Sequence, residues 1–356
     1  MGGLLERSFD VTVFHRGSHE VPELSAVRHI HADPHFFETI DEALTGQEFD
    51  LVVATYGRIR HVAQVLSGRA GQFIAVSGAS RYSAYVSPDG RIPTGLPAPV
   101  PEDDPLVGSP AAYETREVEF ARKIVATERA VHEFHPTATI LVYPLVYGPR
   151  NMIPWEWSVI RRVRDGRTRI LLPDDGLTIS RRGAARNVAK FALLAVDRPT
   201  AAAGQVFNCA DARQFTLRQW VELVVDAMGS KIQIVGVPGA IAPIFRQIYL
   251  PRGSNLHSMF DITRAQQILG YTDAIDPKDA LLESVEWYLR NPISDTAVSP
   301  AYYDTFDYVL EDALIDGWGN TVKVYHRDHP QSAARDTVHP LAHPREPGLT
   351  SDHHGR

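Results

Sequence analysis

The feature that most constrains this chain is the alternation in its first 150 residues. Short runs rich in β-branched and aromatic residues, Phe9–Ser18, Val27–Asp33, Phe49–Gly57, Gln72–Ser80 and Thr139–Arg150, are separated by longer stretches. Where those stretches are patterned they are helical: Phe36, Phe37, Ile40, Ala43 and Leu44 fall on one helix face. Runs with little polar alternation belong to strands covered on both faces. Strands separated by helix-length segments run parallel, joined by right-handed crossovers. The predicted fold class is therefore α/β, a doubly wound parallel sheet, and Phe9–Ser18 reads as a central strand. Ligands of such sheets gather at the carboxyl ends of the strands, so Arg16, Asp33, Thr55, Ser77 and Ser80 are expected on one rim.

The turn after the first run bears on a dinucleotide. In doubly wound nucleotide-binding sheets a carboxylate just past the second strand selects a free ribose 2′-hydroxyl, whereas an arginine accommodates a 2′-phosphate. This chain has Arg16 there, flanked by His15 and Ser18, which favours NADP over NAD. Residues 2–8 read as the tail of a helix. The strand and glycine-rich turn that normally precede such a helix and hold the pyrophosphate are not in the sequence. A missing central strand leaves backbone groups unpaired at roughly 1–3 kcal/mol each, against a total stability of about 5–15 kcal/mol. The expectation is that the natural product begins upstream of Met1.

Composition excludes several classes. With 356 residues, a net charge of −7 and a pI near 6.1, the chain lacks the basic surface a nucleic-acid partner requires. Cys209 is the lone cysteine, in an apolar context, so no intrachain disulfide forms and a reducing, cytoplasmic setting is expected. No apolar run approaches the roughly 20 residues of a membrane helix. Residues 1–150 are assigned to nucleotide binding, 151–320 to a smaller C-terminal α/β lobe with segments returning to the main sheet, and 321–356 to a disordered tail. That tail carries six histidines, read as solvated, and no metal site is expected.

The order of segments resembles the extended branch of the short-chain dehydrogenase/reductase superfamily, the NAD-dependent epimerase/dehydratase family. The resemblance rests on the Asp10–Gly17 strand and turn, Asp33, the Phe49–Gly57 and Phe73–Tyr82 segments, and Tyr143-Pro144-Leu145-Val146-Tyr147-Gly148-Pro149. Gly204–Asn208 followed by Thr216–Trp220 extends it, so that it spans about residues 2–291. It implies a Rossmann-like fold, an NAD(P) cofactor, and oxidoreductase or epimerase/dehydratase chemistry on a small hydroxyl or carbonyl substrate such as a nucleotide sugar. The cofactor contacts it implies are Arg16, Ser18, Asp33, Thr55, Tyr56, Gly57, Ser77, Tyr143 and Pro144. Asn151, Trp155, Arg161, Arg181 and Arg182 are implied on the substrate side, where arginine suits a diphosphate. A homodimer through the 114–132 helix is left open.

The departures fall on the chemistry. Family members carry a Ser or Thr after the fifth strand and a Tyr-x-x-x-Lys on the next helix, where the tyrosine exchanges the proton. Here Gly78 stands at the hydroxyl position, Phe120 at the tyrosine and Ile124 at the lysine. Lys123 is one residue off, a rotation of about 100° on a helix. Replacement proton-handling groups are sought among Ser77, Ser80, Tyr82, Tyr85, Tyr113 and Lys123. The rival expectations are a noncatalytic NAD(P)-binding regulator or scaffold, and a chain inactive for want of its first strand.

Overall fold

The computed structural model describes residues 1–17, 22–55, 57–108, 115–151, 153–293 and 304–330. Met1–Asp307 forms one compact unit and Tyr308–Arg356 a second. The strands are β1 (Thr12–His15), β2 (Arg28–His31), β3 (Phe49–Ala54), β4 (Ala70–Gly78), β5 (Thr139–Tyr143), β6 (Leu145–Tyr147), β7 (Arg169–Pro173), β8 (Arg182–Ala184), β9 (Val206–Asn208) and β10 (Gln233–Val237). The helices are α1 (Gly2–Leu5), α2 (Phe37–Leu44), α3 (Ile59–Val65), α4 (Ser83–Val86), α5 (Arg116–Phe134), α6 (Trp155–Arg164), α7 (Ala185–Asp197), α8 (Pro199–Ala202), α9 (Leu217–Ala227), α10 (Pro243–Tyr249), α11 (Thr263–Leu269), α12 (Pro277–Arg290) and, in the second unit, α13 (Tyr308–Asp328).

Every paired strand is parallel, and the main sheet runs β3-β4-β5-β9. Phe73, Ile74 and Ala75 in the middle of β4 are all buried. Successive side chains on a strand point to opposite faces, so both faces of the sheet are covered. Helix α5 packs on α3 and β4, while α7 packs on β4 and β5 and stacks Phe191 on Tyr271 at 3.7 Å. The α/β class expected from the strand–helix alternation is the one observed.

The sheet is interrupted where the sequence suggested a problem. β1 and β2 form a separate parallel pair, and among the described residues no strand bonds to the free side of β1 or of β3. β1 is thus paired on one side only and is half-buried along its length, not the doubly flanked central strand expected from its composition. The two sheets meet at one end: the backbone N–H of Arg58 donates to the Pro34 carbonyl at 2.8 Å. Gly57 makes that approach feasible, because at φ +83° a side chain would be strained and its Cβ would lie 2.7 Å from the Pro34 oxygen.

Two other expectations are corrected. Thr139–Arg150 is not one strand, because Pro144 has no N–H to extend the ladder; β5 pairs with β4, and beyond the proline β6 pairs with β8. Residues 321–328, assigned to the tail, are the end of α13; positions 331–356 lie outside the described residues. Two helix starts are capped by side chains: Thr216 and Gln219 form a reciprocal capping box at α9, and Asp276 caps α12 ahead of Pro277. Among the described residues no helix is long and apolar enough to cross a membrane.

A buried polar knot ties β6, β8 and α7 together. Asp211 accepts from the Tyr147 hydroxyl at 2.9 Å, the Ala184 N–H at 2.9 Å and the Asn187 side-chain amide at 2.8 Å. Burial outweighs these bonds and pushes its carboxyl up to about 6. A carboxyl raised in the folded state is a liability when charged, so its cost is full above about pH 6 and is relieved as pH falls toward its unfolded value. Asp211→Asn keeps an acceptor for Ala184 and Asn187, and its new NH₂ faces a Tyr147 hydroxyl that can turn to the Pro277 carbonyl at 3.1 Å. In thermal melts the Tm difference, variant minus wild type, is expected to be most positive near pH 7.5 and to shrink by pH 5. A difference that is flat or grows on acidification contradicts this.

Candidate functional site

The carboxyl ends of β1 to β5 share a rim, because Pro34, after β2, touches Gly57, after β3. Arg16 and Thr55 are exposed there. Asp33 accepts from the His35 backbone N–H at 2.9 Å and meets its ring at 2.7 Å; the His35 side-chain bond, opposed by slight desolvation and aided by Arg16, keeps this carboxyl below its usual range. Tyr143 and Pro144 are half-buried, and burial raises the Tyr143 phenol. Ser18, Tyr56 and Tyr113 lie outside the described residues.

The groups suggested for proton exchange are mostly committed elsewhere. Tyr82 is fully buried and donates to Asn208 Oδ1 at 2.7 Å; desolvation lifts its phenol far above the usual range, so it is a core residue and not an acid facing substrate. Ser77 donates to Glu128 on α5, whose other oxygen pairs with buried Arg81 at 3.3 Å, and burial raises the Glu128 carboxyl. Ser77 is therefore tethered to a buried ion pair. Lys123 is exposed and pairs with Glu119 at 2.6 Å along the helix surface, which removes it as a stand-in for the lysine. Phe120 is 58% exposed and Ile124 is half-buried. Ser80 is half-buried in the turn after β4, and among the described residues, chain neighbours aside, no atom lies within 4 Å of where a Gly78 Cβ would be.

The substrate-side candidates part company in the same way. Arg182 is buried with its guanidinium 4.3 Å above the Trp220 ring, and desolvation lowers it to about 10. Arg161 lies 4.2 Å over the Phe306 ring and 3.5 Å from Asp165. Asn151 donates to the Val146 and Ile153 carbonyls, both at 2.8 Å, and so braces the turn before α6; Trp155 is half-buried at the start of that helix.

Arg181, one position before Arg182, has the other environment, since neighbouring strand residues face opposite ways. Backbone bonds between Ile179, Arg181 and Ser258 hold the 179–181 segment against the 256–258 segment. This fixes Arg181 behind a cavity of about 190 Å³ lined by Tyr85, Ser180, Arg252, Ser254, His257 and Ser258, among others. The guanidinium donates to the Tyr85 hydroxyl at 3.0 Å and to Ser258 Oγ at 3.1 Å, and lies 4.4 Å over the Tyr85 ring. Its Nε is buried with no hydrogen-bond partner among the described residues. Arg252 sits 5.7 Å from the same ring, on a turn where its φ of +59° and Gly253 swing the chain back. Among the described residues no carboxylate lies within ion-pair distance of Arg181 or Arg252. His257 accepts from the Ile179 N–H at 3.1 Å through Nδ1, which in the neutral ring leaves the proton on Nε2. Arg252, His257 and Ser258 were missed in the sequence because they follow a helix, α10, that the periodicity did not reveal.

No protein-family profile matches the chain. It is 26% identical over 168 residues to an uncharacterized protein, y4nL, of Sinorhizobium fredii, a match covering 42% of this chain and 46% of that one, so the chain spans less than half of the curated relative it matches. Solved structures align more widely. The Bordetella bronchiseptica enzyme WbmG, in complex with NAD, superposes with a TM-score of 0.61 over 83% of this chain and 90% of its own, at 16% identity. The UDP-glucose 4-epimerase of Thermotoga maritima, bound to UDP-glucose, gives 0.60 at 17% identity over 82% and 94%. The dTDP-glucose 4,6-dehydratase DesIV of Streptomyces venezuelae, with NAD, gives 0.58 at 17% identity over 84% and 94%. The chain thus has the Rossmann-like fold of nucleotide-sugar epimerases and dehydratases, the architecture its segment order resembles.

The placements of Tyr82 and Lys123 predict opposite results. Tyr82→Phe leaves Asn208 Oδ1 unpaired in the core and is expected to cost about 1–3 kcal/mol in chemical denaturation. Lys123→Ala removes an exposed helix pair and is expected to cost less than about 0.5 kcal/mol. The reverse ranking would show that Lys123, not Tyr82, is built into the fold.

Proposed function

We propose that this protein is an epimerase- or oxidoreductase-like member of its fold that takes a nucleotide-sugar-class ligand, with a phosphate or sugar ring seated in the cavity between Tyr85, Arg252 and His257. The observation that carries the reading is the pair of guanidiniums that flank the Tyr85 ring, buried Arg181 and exposed Arg252, neither within ion-pair distance of a carboxylate among the described residues, although Glu117 lies in the field of Arg252. Burying a cation such as Arg181 without a counter-charge is costly, an anionic ligand offsets that cost, and Arg252 at the exposed mouth adds an accessible guanidinium. Guanidinium forks bind phosphate oxygens in pairs. The cavity, at about 190 Å³, is smaller than the roughly 300–1,000 Å³ of whole-ligand pockets, which suits one end of such a ligand with the rest outside. The neighbours' UDP- and dTDP-sugar substrates support the same class.

Tyr85 takes the proton-handling role in this reading. Arg181 occupies a lone pair of its hydroxyl oxygen, which leaves the hydroxyl hydrogen to point at a ligand oxygen. A nicotinamide dinucleotide, as in the neighbours, would supply the hydride. The rim offers Arg16, Asp33 and Gly57 at its adenosine side and open space over Gly78. Among the described residues no glycine-rich helix N-terminus follows a central strand to cradle the diphosphate, so the fit is incomplete and no step is assigned through it. Arg16 suits NADP, whereas the neighbours hold NAD. The second reading, a ligand-binding protein without turnover, is favoured by Phe120 and Ile124 at the usual proton-relay positions.

Calorimetric titration with UDP-glucose tests the reading. Arg252→Ala is expected to weaken binding roughly 10- to 100-fold, the value of a charge-assisted phosphate contact. Tyr85→Phe is expected to bind with little change and to lose conversion of UDP-glucose in the presence of NAD(P)+, the oxidised form that can take a hydride from a sugar hydroxyl carbon. Binding without turnover in the wild type selects the second reading, and binding indifferent to Arg252 overturns both.

A further inference from the structure

Three imidazoles converge on the β1–β2 pair, away from the cavity just described. The register sets His15 opposite His31, and His29, two residues earlier on β2, lies on the same face as His31. The ring centroids of His15 and His29, and of His15 and His31, are 4.9 Å apart, and those of His29 and His31 are 5.8 Å apart. One ring nitrogen from each lies within 4.8 Å of the other two.

We propose that His15, His29 and His31 form a binding site for a divalent transition metal of the zinc class. The hydrogen bonds already orient one ligand for this task. His29 Nε2 lies 3.0 Å from the Leu24 carbonyl, which can only accept, so its proton sits on Nε2 and the Nδ1 lone pair points at His15. An imidazole whose outer N–H is held by a backbone carbonyl is the usual supporting arrangement for a metal-bound histidine. His15 Nε2 stands 2.6 Å from that Nδ1. A tetrahedral ion with bonds of about 2.0–2.1 Å needs its nitrogens about 3.3 Å apart, so the pair opens by less than an ångström and His31 closes in. Nitrogen donors select zinc, copper or nickel over magnesium or calcium.

The change required of His15 is small. Its Nδ1 now accepts from the Gly17 N–H at 3.1 Å, so in the neutral ring the proton is on Nε2. When the metal takes Nε2 that proton moves to Nδ1, and the exposed Gly17 N–H turns to water. His31 is exposed, which gives the ion a way in and leaves a fourth position for water or another ligand. The site sits where the rim would receive adenosine, but it does not rest on the proposed function: metal binding without sugar-nucleotide binding upholds one and removes the other.

The test uses the full chain, stripped with chelator and titrated with Zn²⁺ by calorimetry and with Co²⁺ by visible absorption. Because the C-terminal segment carries its own histidines, His353→Gln/His354→Gln is the control and His15→Gln/His29→Gln/His31→Gln the test variant. The expected result is one equivalent bound by wild type and control, with the intense absorption of tetrahedral Co²⁺, and lost in the test variant. If the triple variant does not fold, His31→Gln alone, at the exposed end, is expected to weaken Zn²⁺ binding at least roughly tenfold with an unchanged circular dichroism spectrum. Unaltered binding in His31→Gln, or loss in the C-terminal control instead, overturns the proposal.

Discussion

The rest of the molecule depends on one ladder, the parallel hydrogen bonds that run through β3, β4, β5 and β9. Parallel strands are stable only when both faces are covered, and here helices cover β4 so completely that three successive residues lose contact with water. That ladder sets the common end at which the loops carrying Gly57, Gly78 and Pro144 emerge. It stops at β3, and the β1–β2 pair is joined to it at the rim through Pro34, Gly57 and Arg58. An unpaired strand edge inside a fold leaves donors and acceptors that must find partners. Among the described residues the sheet ends at β3 on one side and at β9 on the other, where the Asn208 N–H donates to Glu102 at 3.0 Å.

The site follows from a second constraint, that buried charge must be answered. Glu128 meets Arg81 and Ser77, and Asp174 holds Arg246 at 2.8 Å and the Gly239 N–H at 2.9 Å. Arg181 is the contrast, a buried guanidinium met among the described residues by neutral hydroxyls and aromatic faces, with exposed Arg252 near it. Such an arrangement suits an incoming anion better than it suits an empty fold. In the proposed reading Tyr85 would take the proton-handling role, since Phe120 and Ile124 stand where the family pattern that the sequence resembles has its tyrosine and lysine.

Much of the fold was legible because strand and helix periodicity are local. Helix α2 (Phe37–Leu44) coincides with the helical face read over Phe36–Leu44, and β3 falls within, and β4 overlaps, the runs read as strands. What periodicity could not show was partnership. Nothing local says that Pro144 moves the chain from one sheet to another, or that β1 bonds on one side only. The same gap separates the site from its sequence signal. Tyr82 and Lys123 have suitable chemistry, but Asn208, 126 residues away, claims the first and Glu119, one helical turn away, the second. Arg181 and Arg182 are indistinguishable by type, and only the alternation of a strand sends one to Tyr85 and the other to Trp220. The three histidines looked unrelated for the same reason: β1 and β2 bring His15 to His29 across 14 positions.

The most direct measurement of the central claim is a crystal structure of the chain grown with UDP-glucose and a nicotinamide dinucleotide. The expected result is phosphate or sugar density in contact with Arg252 and the Tyr85 hydroxyl, with Arg181 still bonded to that tyrosine. A ligand bound elsewhere while the Tyr85–Arg252 cavity holds only water would contradict it.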